Sequence, residues 1–449
     1  MKDLTVEVPS PEQQSPKHSK GTDITGSSMT VAPEVGDKKV DMSYESRREF
    51  LKLGAFMSGY LIFQSTTGIS VFCLHRPIME AGIVWSLCIA VLCCYITTYG
   101  LHNVLTLVRS IEKDHDLPKR CQNLYSATRY LKGPHILYMK WAMTIASVGM
   151  MVSSSVSNLI LLTQSFHYIL NKFECTLLVW IVICFLLVVI VEPEKLKNFT
   201  TVTTALVIAV CACFTAFNYM KFFSGRSEVA PSDIPLFNFA NTFGLTGNLI
   251  YAFELCSCYL SLRLTAKESV NYGSLTVMMM LLITTVYYIV GVSFSLAFKN
   301  ENMHENAFRN FDTGILKYAS ITFTVNTVYN FITNAIFACE AFETNGWVHL
   351  RLVDSQDRLK RKNIIMLRIL VWTLIAGFSL VCGDQVTKLL NFSGSVFSPM
   401  VGFIGPLIYL YTYKINRGQT ILPLKKLHDS IYLIVCLTIS FMGVRHALK

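Results

Sequence analysis

Apolar runs of membrane-spanning length recur along almost the whole chain, and nothing else in the sequence limits its fold so strongly. A hydrocarbon core about 30 Å thick takes roughly 20 apolar residues of helix, and inside it every backbone polar group has to be paired within the protein. Stretches that meet this requirement lie near 50–74, 80–108, 137–170, 175–192, 199–222, 239–262, 273–298, 316–341, 364–383, 388–413 and 429–446. The sequence therefore predicts an all-α polytopic membrane protein of about 11 transmembrane helices. The third stretch is long enough to tilt strongly or to project from the bilayer. Of the 449 residues 52% are hydrophobic and only 15% charged, too few charges to cover a soluble domain of this size, and the mean hydropathy is +0.44.

Residues 1–43 are a different material. Pro9, Pro11, Pro16 and Pro33 stand among serines, glycines and charges of both signs without an apolar run, the composition of a disordered tail. This tail also lacks the apolar centre of a secretory signal peptide, so insertion through the first span is expected to leave it attached. One transmembrane domain follows over 44–449.

Lysine and arginine sort the connecting segments into two sides. Segments 109–136, 342–363 and 414–428 are rich in both, and Lys195, Lys197, Arg263 and Lys267 fall on the same side. The opposite segments carry little beyond Arg76, Lys172, Arg226, Lys299 and Arg309. The rich side is the cytoplasm, which puts the N-terminus inside and the C-terminus outside or in a lumen. The sequons at Asn198 and Asn391 then fall on the cytoplasmic side and in a span, where no glycan is expected. A formal charge of +10 is spread over these short segments without a continuous basic stripe, so the lipid bilayer and not nucleic acid is the expected partner. Most of the fourteen cysteines lie inside apolar runs, as in Cys93-Cys94, Cys211-Ala-Cys213 and Cys256-Ser-Cys258, and none has zinc-site spacing. They read as small apolar residues, and no metal or cofactor is expected. Cys175 falls in a predicted external turn, and segment 299–315 offers it no partner.

Two spans carry local breaks. In the first, Ser65-Thr66-Thr67-Gly68-Ile69-Ser70 interrupts an apolar run; in the sixth, Gly244-Leu-Thr246-Gly247-Asn248 precedes Tyr251-Ala-Phe-Glu254. Irregular backbone at membrane depth is tolerated only where it is buried in protein or lines a wet cavity. Breaks in spans one and six, with five spans per unit, are the expected mark of an inverted repeat whose two breaks meet near the midplane. Small residues also let helices pack closely, and it is the pairing of the two breaks that favours a cavity. Unwinding frees amide N–H groups at a positive helix end for a carboxylate, and frees carbonyls and hydroxyls for an ammonium or a cation. Gly68, Ile69 and Ser70 with Thr246, Gly247 and Asn248 form the candidate substrate cradle, and Tyr251 a gate or cavity wall.

Ionisable groups within the spans are sparse: His102, Glu254 and Glu340. Glu254 stands open between an ion-coupling group and a structural partner, since a carboxylate at bilayer depth is costly. Glu340, beside the basic segment 342–363, reads as a solvated cap. His75 and Arg76 read as interfacial, and Glu112-Lys-Asp114-His115-Asp116 as a solvated loop. Asn326, Asn330 and Thr333 recur at helical spacing on one face of span eight, where they either line the cavity or join helices; Asn330 is a candidate binding residue.

Three motifs in order resemble the amino acid/auxin permease family over 50–449. Gly68-Ile-Ser70-Val-Phe-Cys-Leu74-His75 leading to Ala81-Gly82 is similar to the family's GxGIxxLPxAFxxAG. Thr246-Gly247-Asn-Leu-Ile-Tyr251-Ala-Phe-Glu254 is similar to its FGxxxFAxE, and Gly394-Ser-Val with Pro406 to its tenth-helix pattern. The resemblance implies a five-plus-five inverted repeat with helices 1 and 6 broken and one extra C-terminal helix, moving amino acids with an ion gradient. Its proton-coupled branch is the nearest. Ser70 replaces that first motif's second glycine, His75 its proline, and Ser261 and Arg263 a proline and an acidic residue after span six. The branch's histidine, seven residues before the first glycine, is Leu61 here, which leaves the coupling ion open between H+ and Na+.

The expected function is a secondary active transporter of small neutral amino acids working by alternating access. No nucleotide loop, nucleophile triad or metal motif points to an enzyme. A non-cycling amino acid receptor and a vesicular loader of an amino acid transmitter are the alternatives, and no address in the sequence chooses between a plasma membrane and an endolysosomal or vesicular one.

Overall fold

The computed structural model describes residues 53–115, 124–133, 135–170, 172–190, 193–230, 234–299, 315–343, 361–383 and 385–447; the tail 1–43 lies outside them. Among these residues regular structure is helical, apart from a single parallel bridge between Leu53 and Ala266. In chain order the main helices are α1 (Ala55–Thr66), α2 (His75–Ala81), α3 (Ile83–Asp114), α4 (Ile136–Leu170), α5 (Phe173–Ile190), α6 (Pro193–Phe223), α7 (Thr242–Ala252), α8 (Cys256–Thr265), α9 (Tyr272–Ala297), α10 (Ile315–Glu343), α11 (Arg361–Cys382), α12 (Val386–Pro399), α13 (Gly405–Asn416) and α14 (Pro423–Ala447). A π-helical turn, Met400–Ile404, joins α12 to α13. The continuous α3, α4, α6, α9, α11, α12–α13 and α14 contain 7 helices long and apolar enough to cross a membrane. The broken pairs α1–α2 and α7–α8, with α5 and α10, complete the eleven passes.

Burial separates centre from periphery. In its most apolar window α4 is 78% buried, whereas α11 is 22% buried and turns Leu370, Phe378 and Val381 outward. Polar side chains occupy the interior instead: Gln64, Ser155, Asn158, Thr204, Asn326 and Asn330 are all buried. The buried core is mostly apolar as well, so these polar groups form a minority set inside it, where burial at bilayer depth demands partners.

The end of α1 follows from its hydroxyls. Ser65, Thr66 and Thr67 donate to the carbonyls of Leu61, Ile62 and Phe63, each four residues back. Such side chains compete for the carbonyls that a continuing helix would use, and here three act in succession. The chain turns at Thr67-Gly68, makes a 3-10 turn over Ile69–Phe72 and resumes as α2. His75 therefore lies inside the span, not at its interface: it is fully buried with its ring 5.1 Å from that of Phe294. The pass ends at Gly82, whose φ of 89° suits glycine and whose Cα faces the Leu236 backbone.

The break in the sixth span lies elsewhere than Gly244–Asn248. Those residues are regular α7; the helix ends at Ala252 and the chain is irregular over 253–255 before α8. Gly247 instead serves a helix crossing. A Cβ there would strike Asn391 Oδ1 and come within 2.8 Å of Ser395 Oγ, while a Cβ on Gly394 would strike the Gly247 carbonyl. Close packing through small residues thus accounts for Gly247, and the backbone opening lies about two turns further on, at Glu254.

Two further expectations change, those for Cys175 and for segment 112–115, whereas Asn391 lies within a span as expected. Cys175 begins a helix, in the first turn of α5, where its side chain is outside the described ones, as are those of Asn198 and Glu340. Segment 112–115 is not a solvated loop: Glu112 pairs with Arg263, and Asp114 accepts a 2.7 Å bond from the Tyr413 hydroxyl. Asn391 is buried in α12, with its amide 3.2 Å from His446 Nδ1.

Candidate substrate site

Both broken helices end on one side chain that the sequence did not single out. Tyr287 of α9 is fully buried, and its hydroxyl lies 2.7 Å from the Thr66 carbonyl, 3.2 Å from the Ala252 carbonyl and 3.2 Å from Ser70 Oγ. Thr66 closes α1 and Ala252 closes α7, so a single phenol gathers the negative ends of the two half-helices. Phe253, in the second break, stacks on the same ring at 5.7 Å. A tyrosine in an apolar helix carries no sequence mark of such a role; only the convergence of α1, α7 and α9 reveals it.

Beside this junction lies a buried polar cluster. Gln64 of α1 donates to Asn326 at 2.6 Å and accepts from Thr204 of α6 at 2.6 Å, tying α1 to α10 and α6. One turn along α10, Asn330 turns Nδ2 towards the break: a Cβ on Gly68 would sit 3.6 Å from it. Another turn on, Asn334 donates to Ser154 of α4 at 2.6 Å. The Tyr251 hydroxyl of α7 points to the same Ser154 and to Ser157 without closing a hydrogen bond. Asn326 Nδ2, Asn330 Nδ2 and Asn158 Oδ1 are likewise buried without a hydrogen-bond partner among the described residues. A buried polar atom left unpaired costs about 1–3 kcal/mol, so a polar ligand meeting these groups recovers that cost. At the start of the 3-10 turn, the N–H groups of Ile69 and Ser70 have no intrahelical partner and add donors.

The sequence-predicted residues divide accordingly. Gly68, Ser70 and Asn330 come together, as does the backbone of Ile69, whose side chain is outside the described ones, while Tyr251 approaches Ser154, the residue that Asn334 bonds. Thr246 donates to the Thr242 carbonyl within its own helix, and Asn248 to that of Gly244, its Oδ1 remaining unpartnered. Gly247 belongs to the α7–α12 contact. Glu254 sits in the true second break, where one carboxylate oxygen accepts from the backbone N–H of Ser257 at 2.9 Å and from its hydroxyl at 2.8 Å, capping α8. Thr333 bonds back to the Tyr329 carbonyl in its own helix.

This arrangement of two helices interrupted at one level matches known proteins in two independent ways. The family model described as transmembrane amino acid transporter protein matches residues 52–449. The chain belongs to that family. Solved transporters share the fold at low identity. MhsT in complex with L-phenylalanine is 14% identical, superposes with a TM-score of 0.58 and covers 87% of this chain and 98% of its own. A Na+-coupled sialic acid symporter in a substrate-bound outward-open state is 11% identical, with a TM-score of 0.57 and coverage of 89% and 90%. The manganese transporter of Eremococcus coleocola is 11% identical, with a TM-score of 0.53 and coverage of 93% and 89%. No curated protein matches the sequence. Family and fold together give a multi-pass transmembrane transporter built on the five-plus-five inverted repeat, with helices 1 and 6 broken.

Proposed function

We propose that the protein is an ion-coupled, alternating-access transporter of small neutral amino acids. The observation that carries this reading is the uncharged interior beside the first break: Asn330 Nδ2, unpaired, lies 3.6 Å from where a Cβ on Gly68 would sit, further unpaired amide and hydroxyl groups lie on α4, α7 and α10, and Tyr287 bonds the carbonyls that end α1 and α7. A zwitterion suits such a place. Its carboxylate meets the N–H groups that begin the 3-10 turn, its ammonium the carbonyls that end α1 and α7, and no fixed charge asks for a charged side chain. Bulky Tyr251, Phe253 and Tyr287 leave little room, which favours a small side chain. The positive-inside reading supports a cytoplasmic N-terminus.

Uptake into proteoliposomes, across a panel of amino acids with pH and sodium gradients imposed separately, tests the proposal. Accumulation of alanine- or glycine-sized substrates under one gradient supports it; ligand-induced stabilisation without accumulation under either would instead favour a non-cycling receptor. Glu254 is the proposed coupling group. Glu254→Gln keeps an oxygen for the Ser257 contacts, so it is expected to preserve binding while abolishing gradient-driven accumulation. Unchanged accumulation in that variant assigns Glu254 to capping alone.

A further inference from the structure

A second site lies away from the cluster, on the side that the lysine and arginine distribution assigns to the cytoplasm. Where α8 ends and α9 begins, a cavity of about 160 Å³ is lined by Arg109, Arg263, Ala266, Lys267, Glu268 and Tyr272. That is roughly ten times the ~15 Å³ a single water needs. Three cations against one acid leave the lining with a net positive charge. Arg263 is committed to a buried bidentate pair with Glu112, at 3.0 and 2.7 Å. The side chains of Arg109 and Lys267, both exposed residues, have no ion-pair or hydrogen-bond partner among the described residues.

A separate observation points to a ligand. Tyr272, the first residue of α9, is 3% exposed, yet its hydroxyl has no hydrogen-bond partner among the described residues. Tyr272 is one of the residues lining the cavity, so its phenol is a buried donor without a partner beside a cationic lining, at the positive end of a 26-residue helix. The cavity also adjoins a backbone pairing that pins the start of α1. The Leu53 N–H donates to the Thr265 carbonyl at 2.7 Å and the Lys267 N–H to the Leu53 carbonyl at 3.0 Å, so the residue that supplies a cation to the cavity also holds the entry to α1.

We propose that this cavity binds a phosphate group, as free inorganic phosphate or as the headgroup of an anionic phospholipid, and that its occupant holds α1 against α8. Arg109 and Lys267 supply charge-assisted donors and Tyr272 a neutral one, a set that a tetrahedral anion with several acceptor oxygens can use at once. Arg263 stays with Glu112 and contributes its field. By fixing the α8–α9 corner around Lys267, the anion stabilises the docked position of α1 and so disfavours opening on this side. This gating effect rests on the transport reading above; the binding itself does not, so loss of one can be told from loss of the other.

Binding is measured on the purified full-length chain, by calorimetric titration with inorganic phosphate in detergent and in phosphatidylcholine nanodiscs with and without a phosphatidylinositol monophosphate. The probes are an Arg109→Gln/Lys267→Gln double variant and Tyr272→Phe, all of which leave the Arg263–Glu112 pair in place. Saturable binding in the phosphate arm identifies a soluble source, and binding only in the lipid arm identifies a headgroup. In either case the double variant is expected to lose about tenfold or more in affinity and Tyr272→Phe a few-fold. Absence of binding in both arms, or equal binding by the double variant, overturns the site. For gating, a Leu53→Cys protein should react with a thiol reagent more slowly when the occupant is present, and the double variant should remove that protection; protection that survives in the double variant, or none at all, overturns the proposed hold on α1.

Discussion

Tyr287→Phe isolates the junction on which both broken helices end. The substitution removes one oxygen and no ring volume from a side chain that is 1% exposed, so packing is preserved and only the hydrogen bonds change. A phenol carries one proton. The 2.7 Å contact with the Thr66 carbonyl is its donated bond, the Ala252 carbonyl at 3.2 Å takes a share, and Ser70 can donate to the phenol oxygen. Interhelical hydrogen bonds inside membrane proteins average about 0.6 kcal/mol and reach about 1.7. Two lost bonds then amount to about 1–3 kcal/mol, towards the upper end because the buried Ala252 carbonyl and Ser70 hydroxyl have no water to turn to. Where that energy belongs to this conformation alone, the balance between conformations shifts by about tenfold or more. Proteoliposome uptake should fall by a similar factor, with only a modest drop in melting temperature. The neighbouring Tyr288 gives the control, because its hydroxyl bonds the Ile83 carbonyl at 3.1 Å, away from both breaks. Wild-type uptake by Tyr287→Phe, or an equal loss in Tyr288→Phe, would refute the assignment of Tyr287 as the clasp of the site.

Two glycines that look alike in sequence should behave oppositely. Gly68→Ala meets only Asn330 Nδ2 at an ordinary 3.6 Å, so thermal stability should stay near wild type while uptake falls, because the methyl occupies the proposed ligand position. Gly247→Ala runs into Asn391 and Ser395 and should cost about 1–3 kcal/mol, visible as a lower melting temperature or poor expression. Arg263→Gln leaves Glu112 largely buried without its bidentate partner, a loss of about 3 kcal/mol; if the pair exists only while α1 is docked, cysteines placed near Leu53 should become more reactive.

Much of this protein was legible in its sequence because the bilayer admits so few solutions. Apolar runs of the right length, lysine and arginine counts and a hydroxyl run at 65–67 fix the passes and the first break through local rules alone, since the hydroxyls need only their own helix's carbonyls to end it. Gly68, Ser70, Tyr251 and Asn330 were visible as polar or small residues set in apolar helices. The second break was not. Gly247 and Phe253-Glu254-Leu255 differ in what lies across from them, and a glycine that accommodates a neighbouring helix reads the same as one that opens a backbone. Tyr287 and Gln64 were silent for a related reason: each takes its meaning from partners more than two hundred residues away in at least one contact, such as Thr66 for the phenol and Asn326 for the amide. Sequence by itself determined how many times the chain crosses the membrane and where its first helix fails, because both depend on the cost of unpaired polar groups in hydrocarbon. Tertiary structure alone decided which irregularities face one another, because only the packing of α1, α4, α7, α9 and α10 turns scattered polar side chains into one site.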